Sequence, residues 1–136
     1  MDVIIAQPPN LKDIQKAFPA IVGKKGIVYT YGNLIFNPDG GEIDEPLQFH
    51  EATHSLQQDG LGVERWWHCY LTDPGFRLQQ EIEAYQNQYR RYCELVKDRN
   101  RRAVFLNRIA VDLSSSQYGN IIDLHSARQR ISNYLS

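Results

Sequence analysis

The stretch Phe49-His50-Glu51-Ala52-Thr53-His54 sets two histidines four residues apart with a glutamate directly after the first. On a helix, residues four apart lie one turn above the other on the same face, so both imidazoles can reach a single ion. The segment is therefore expected to be a helix that keeps one face for a metal. Glu51 falls beside that face, where a carboxylate can take the proton of a metal-polarised water. The flanking residues agree with a helix. Asp44-Glu45-Pro46 offers a capping acid and a proline suited to a first turn, and Asp59-Gly60 offers an end. Phe49, Ala52, Thr53 and Leu56 recur on a separate face from His50, His54 and Gln57, which predicts an apolar side to bury and a polar side to use.

The 136 residues fit a single domain over 1–136, long enough to bury a core without staples. No apolar run approaches the length that crosses a bilayer. The start, Met1-Asp2-Val3-Ile4-Ile5-Ala6-Gln7-Pro8, lacks a basic region followed by a long apolar one, so no membrane partner and a cytoplasmic location are expected. Cys69 and Cys93 have no paired spacing and read as free thiols. Charge is unevenly spread: residues 1 to 87 carry six basic and twelve acidic side chains, residues 88 to 136 nine basic and four acidic. Arg90, Arg91, Lys97, Arg99, Arg101, Arg102 and Arg108 thus make a basic C-terminal part. Such a part suits either a solvated helical face or an acidic partner such as nucleic acid.

Taken in order, residues 10 to 18 predict a short helix capped by Asn10 and ended by Pro19. Residues 26 to 31 and 34 to 36, with Gly32-Asn33 between them, predict a hairpin. Its second strand, Leu34 to Phe36, is the segment nominated to pair with an extended peptide. Residues 63 to 71 predict a short helix or irregular cover. A long helix from Asp73-Pro74 through Val96 has a buried stripe of Leu78, Ile82, Tyr85, Tyr89, Tyr92, Cys93 and Val96. Two more helices are expected over residues 101 to 113 and 123 to 135.

A catalytic zinc site normally has three protein ligands and one position left for water. Gln57 and Gly60 stand where a metzincin would carry a glycine and a third histidine, which excludes that class. On the long helix, Gln79-Gln80-Glu81-Ile82-Glu83-Ala84-Tyr85 resembles the gluzincins, the thermolysin-like metallopeptidases, whose second helix carries a glutamate ligand commonly followed by alanine. The resemblance covers about residues 27 to 93 in pattern and is closest to minimal single-domain members such as small bacterial or phage-associated peptidases. It implies an α+β, mostly helical, zincin-like fold in which a small β-hairpin or sheet packs on the helix bearing the motif. It also implies one Zn2+ held by His50, His54 and Glu83, Glu51 as general base, and a protein or peptide substrate. Glu81 is the rival third ligand. It points about 200 degrees away from Glu83 around the helix, so only one of them can face the ion. Glu83 is favoured for its polar strip with Gln79, Gln86, Asn87 and Arg90. Where the resembling enzymes have an aspartate to accept a histidine ring N–H, this chain has Asn87, with Gln57 and Gln86 as possible substitutes. The oxyanion-stabilising group is open among His68, Tyr85, Tyr118 and His125. Two alternatives stand beside the peptidase: a non-catalytic zinc-binding interaction module, and a protease associated with nucleic acid through the basic C-terminal part.

Overall fold

The computed structural model describes residues 1–134, and the last position of the helix expected over 123 to 135 lies outside them. The protein is α+β, with six helices and one small sheet among the described residues. In chain order these are β1 (Asp2–Ile4), α1 (Leu11–Ala17), β2 (Tyr29–Tyr31), β3 (Leu34–Phe36), α2 (Glu45–Leu61), α3 (Val63–Thr72), α4 (Pro74–Leu95), α5 (Arg99–Leu113) and α6 (Leu124–Ser132). Two 3₁₀ turns, Pro19–Ile21 and Ser116–Tyr118, complete the set. No helix among the described residues is long and apolar enough to cross a membrane.

The helix starts follow the capping chemistry of the sequence. Asp44 accepts from Leu47 N at 2.9 Å, and Asp73 accepts from Phe76 N at 3.1 Å. Both satisfy amides that a first turn leaves without a partner. Asn10 precedes α1, but its side chain makes no capping bond. The motif helix runs through Asp59-Gly60, because an exposed glycine near a helix end weakens the helix without ending it. It stops at Gly62, whose φ of 97° is costly for any residue with a Cβ. There the chain reverses directly into α3.

The sheet has the order β1-β3-β2, with β3 parallel to β1 and antiparallel to β2. Leu34 to Phe36 is therefore the central strand, hydrogen-bonded on both sides, and cannot accept a peptide as an added strand. The edge towards the helices is β2. Much of that edge is already closed: Gln58 donates to Thr30 O at 2.9 Å and accepts from Gly32 N at 2.7 Å, so one glutamine amide takes the place of a neighbouring strand.

Two apolar clusters carry the fold. Ile82, Tyr85, Phe105, Ile109, Leu113 and Ile131 form one among α4, α5 and α6. Ile14, Phe18, Ile21, Trp66, Trp67 and Tyr70 form the other beneath α1 and α3. The antiparallel pair of α2 and α4 lies between them. Consequently, the polar face of α2 is turned inward, opposite to the amphipathic expectation. His50, Glu51, His54 and Gln58 are buried, while Leu56 is 75% and Phe49 37% exposed. Burying that many polar groups costs free energy unless each finds a partner, so the partners are where the chemistry of this protein lies.

Candidate metal centre

The two histidines project from consecutive turns of α2 and bring their Nε2 atoms within 3.2 Å of each other. From α4, Glu81 directs Oε1 to 3.2 Å from His50 Nε2 and 3.3 Å from His54 Nε2. The three atoms form a nearly equilateral triangle. A small divalent ion bound tetrahedrally through bonds of about 2.0–2.1 Å needs its ligand atoms roughly 3.3 Å apart. The triangle has that size, and Glu51 also keeps a carboxylate oxygen within 4.8 Å of the histidine nitrogens. The buried His50, Glu51 and His54 group can hold a metal ion.

Each corner of the triangle is fixed from behind. His50 Nδ1 lies 2.9 Å from Gln88 Oε1, and His54 Nδ1 lies 2.9 Å from Gln57 Oε1. Glu81 Oε2 accepts from the Tyr70 hydroxyl at 2.5 Å. Gln57 donates through Nε2 to Gln80 O and to Glu83 Oε1, both at 3.1 Å, which sets the orientation of its amide. Its Oε1 must then accept from His54 Nδ1–H. In the neutral imidazole that leaves a lone pair on Nε2, the form a metal requires. With both rings neutral in this way the three atoms are all acceptors at 3.2–3.3 Å, a set that a shared cation can hold together, as a proton on His54 does without one.

Glu83 is not in this triangle. It lies on the exposed side of α4, about 200 degrees around the helix from Glu81, and touches the site only by receiving the Gln57 amide. Of the two glutamates considered, the structure brings Glu81 to the histidines and leaves Glu83 outside the triangle. Asn87 donates to Thr53 Oγ1 at 2.9 Å rather than accepting from a histidine, and Gln86 donates to Arg130 O. Gln57, one of the two substitutes considered, takes its part of that role, and Gln88 takes the other.

Replacing either amide tests this arrangement. Gln88→Ala or Gln57→Ala frees one imidazole to rotate and to change tautomer, and is expected to weaken metal binding about 10- to 100-fold while leaving the fold intact. Competition against a chromophoric chelator reads the change, and unaltered affinity in both variants would show that the amides do not orient the rings.

Glu51 points from α2 towards the hairpin. Its Oε2 accepts from Thr30 Oγ1 at 2.6 Å, and among the described residues Oε1 has no protein hydrogen bond. Thr30 is in turn fastened by Gln58 and by Trp67 Nε1, which donates to its carbonyl at 3.2 Å. The general-base candidate is thus held by the edge strand with one oxygen left to act.

Two cavities meet at this point. One, of about 70 Å3, contains the triangle and is walled by Phe18, Ile21, Trp66 and Trp67; it has room for an ion and a few waters. The other, of about 300 Å3, reaches His50 and Glu51 from the side of α5. Ile27 and Val28 border both. Tyr118 lines both cavities and shares a 2.7 Å hydrogen bond with Tyr85, whose ring packs edge-on against His50 at 4.4 Å. Burial pushes both phenols well above their usual range, so each keeps its proton and can donate. His68 borders a different cavity with Asn10 and Lys16, and His125 is exposed on α6.

The backbone of Tyr118 is anchored by Arg77. This guanidinium is buried, has no carboxylate partner among the described residues, and donates to Tyr118 O at 2.9 Å and to Tyr70 O at 2.7 Å. It also lies 4.8 Å from the centre of the Phe18 ring. A single arginine in the first turns of a long helix usually faces solvent, so Arg77 was not among the expected site residues.

Without an ion, His54 and Glu81 must compensate each other. Burial works against the charged imidazole, but the adjacent Glu81 carboxylate outweighs it and raises His54 to about 9. Burial works against the Glu81 charge as well, and the two imidazoles overcome it, holding the carboxyl well below its usual range. A raised histidine contributes stability that is complete below its unfolded value of about 6.5 and lost as pH rises through 9. The depressed glutamate contributes above the usual carboxylate range and loses that contribution as pH falls through its folded value. The metal-free protein is therefore expected to be less stable at pH 9 than at pH 6. A bound ion replaces the His54 proton, so added zinc should raise the melting temperature more at pH 8.5 than at pH 6. Thermal melts with and without zinc measure this, and a gain that shrinks with rising pH would contradict it.

The chain matches no protein-family model, and neither the curated proteins nor the solved structures compared with it give a match.

Proposed function

We propose that the protein is a zinc metallopeptidase in which His50, His54 and Glu81 hold the ion and Glu51 is the general base. The observation that carries this reading is the triangle of two histidine nitrogens and one carboxylate oxygen at 3.2–3.3 Å, with a second carboxylate beside it. Two neutral nitrogens and one oxygen, each held by its own hydrogen-bond partner, favour zinc over the oxygen-seeking magnesium and calcium. This is the ligand type that the gluzincin resemblance implies, with Glu81 in place of Glu83.

Zinc at such a site supplies a water acidic near pH 7 and a positive charge towards which a peptide carbonyl is polarised. The chain's residues do the rest. Glu51 takes the water proton on the oxygen that Thr30 leaves free and returns it to the departing amine. Tyr118, protonated and anchored through Arg77, is the donor placed to meet negative charge developing on the carbonyl oxygen. Val28, next to β2, borders both cavities, along which an extended substrate would lie.

A structural zinc module is the second reading, favoured by the burial of the site: His50, His54 and Glu81 are 3–5% exposed. A purely structural site has no use for Glu51. The basic C-terminal part gives less support to a nucleic-acid partner than a run of free cations would. Arg91 pairs with Glu45 at 2.6 Å, and Arg102 donates to the carbonyls of Cys93 and Val96.

The deciding experiment is hydrolysis of an unfolded protein by zinc-loaded protein, by chelator-stripped protein and by Glu51→Gln. Cleavage only by the loaded wild type supports the peptidase, whereas tight zinc binding with no cleavage leaves the structural module.

A further inference from the structure

The larger of the two cavities at Glu51 has a feature that neither metal binding nor water activation uses. It is lined by His50 and Glu51 together with Lys24, Lys25, Arg108 and Asp112. Of the three cations, Lys25 has Asp39 3.8 Å away. Lys24 donates to the neutral Gln117 amide at 3.0 Å, and the Arg108 guanidinium lies over the Phe105 ring at 4.9 Å. Among the described residues, neither has a carboxylate within ion-pair distance. Asp112 lies within the electrostatic range of Arg108, Lys24 and His50, yet burial outweighs all three and raises its carboxyl above the usual value. Three cations, Lys24, Lys25 and Arg108, thus face two carboxylates, Glu51 and Asp112, in this lining. The opposite cavity, walled by Phe18, Ile21, Trp66 and Trp67, offers no cation of this kind. The two sides of the site thus differ in charge, and the side of α5 is the positive one.

Resting on the peptidase reading, we propose that Lys24 and Arg108 form a specificity pocket for a carboxylate of the peptide substrate close to the bond that is cut. Two features recommend a carboxylate as the occupant. Arginine matches it through paired N–H donors, with lysine adding a point charge. A cleft in which cations outnumber carboxylates also draws ligands of negative charge. The carboxylate has two sources in a peptide, an acidic side chain or a free C-terminus, and both present the same two oxygens.

The test uses zinc-loaded Glu51→Gln protein and fluorescently labelled hexapeptides of alanine and leucine. One Glu, Gln or Lys is moved through the positions, with the C-terminus either amidated or free. Fluorescence anisotropy is read with and without the Lys24 and Arg108 changes in this one background, so the lost Glu51 charge, which lines the same cavity, is common to both arms. The expected result is that the best-placed carboxylate binds about tenfold more tightly than its neutral counterpart, and the lysine peptide more weakly than either. Preference for internal Glu with an amidated end assigns the pocket to a side chain; preference for the free end assigns it to the terminus. Lys24→Glu with Arg108→Glu should reverse the order. Both side chains are exposed, and Arg108→Gln alone, a milder change, should reduce the preference without reversing it. Equal binding of Glu, Gln and Lys peptides, with both kinds of end, overturns the pocket. Hydrolysis by the wild type is followed with the same peptides. A carboxylate preference without cleavage of any peptide supports the pocket and counts against the peptidase reading alone.

Discussion

Glu81→Gln is expected to lose zinc, and Glu83→Gln to keep it. The two residues are two positions apart on α4, yet their surroundings differ completely. Glu81 Oε1 sits 3.2 and 3.3 Å from the two histidine nitrogens, and its other oxygen is gripped by Tyr70. Glu83 accepts only the amide of Gln57. Removing the single negative ligand leaves two neutral imidazoles to hold a dication in a buried site. Loss of a hydrogen-bond partner behind a ligand already costs about 10- to 100-fold in affinity, and loss of the ligand itself should exceed that upper value. Glu83→Gln changes a contact two steps removed from the ion, so its effect should stay below about tenfold. Chelator competition and metal content after dialysis measure both. Retained zinc in Glu81→Gln, or equal loss in the two variants, would remove Glu81 from the ligand set.

The same contrast shows what could be read in advance. The helix with its two histidines, the hairpin before it and the long helix after it follow from local signals: the spacing of His50 and His54, the caps at Asp44 and Asp73, and the Gly32-Asn33 turn. Those signals depend on neighbours in sequence. Choosing between Glu81 and Glu83 depends on which side of α4 meets α2, a tertiary fact. One clue was present. Arg77, Glu81 and Gln88 interrupt the apolar side of α4 at intervals of four and seven, so they share a face with Tyr85, and all are buried. Polar residues recurring within an apolar stripe signal a buried polar network more strongly than a polar strip on the opposite face does. The inward turn of the polar side of α2 was hidden for the same reason. Hydrophobic patterning assumes that apolar faces point inward, and here the site overrides it, leaving Leu56 exposed. Strand β1, three exposed residues added parallel to β3, carries no alternation from which it could have been found.

Glu51→Gln is expected to keep zinc and to lose hydrolysis. Glutamine matches glutamate in shape, and its amide oxygen can still accept the Thr30 hydroxyl that holds Glu51 at 2.6 Å, so α2 and the hairpin should remain joined. What disappears is the ability to take a proton. General-base assistance is worth about 10²- to 10⁴-fold, and the loss should appear in kcat with KM little changed, because the proton moves only in the transition state. Zinc affinity should stay within a few-fold of wild type, since His50, His54 and Glu81 already form the closest set of ligand atoms. Thr30→Val gives an independent check on the same carboxylate. It removes the hydroxyl, lets Glu51 swing, and should lower kcat without lowering zinc content. If Glu51→Gln released zinc in step with its loss of activity, Glu51 would be acting as a ligand and the division of roles between the two buried glutamates would have to be redrawn. If it kept both zinc and full activity, the proton would have to leave by another route, and among the described residues no other carboxylate lines the metal cavity apart from Glu81, the proposed ligand.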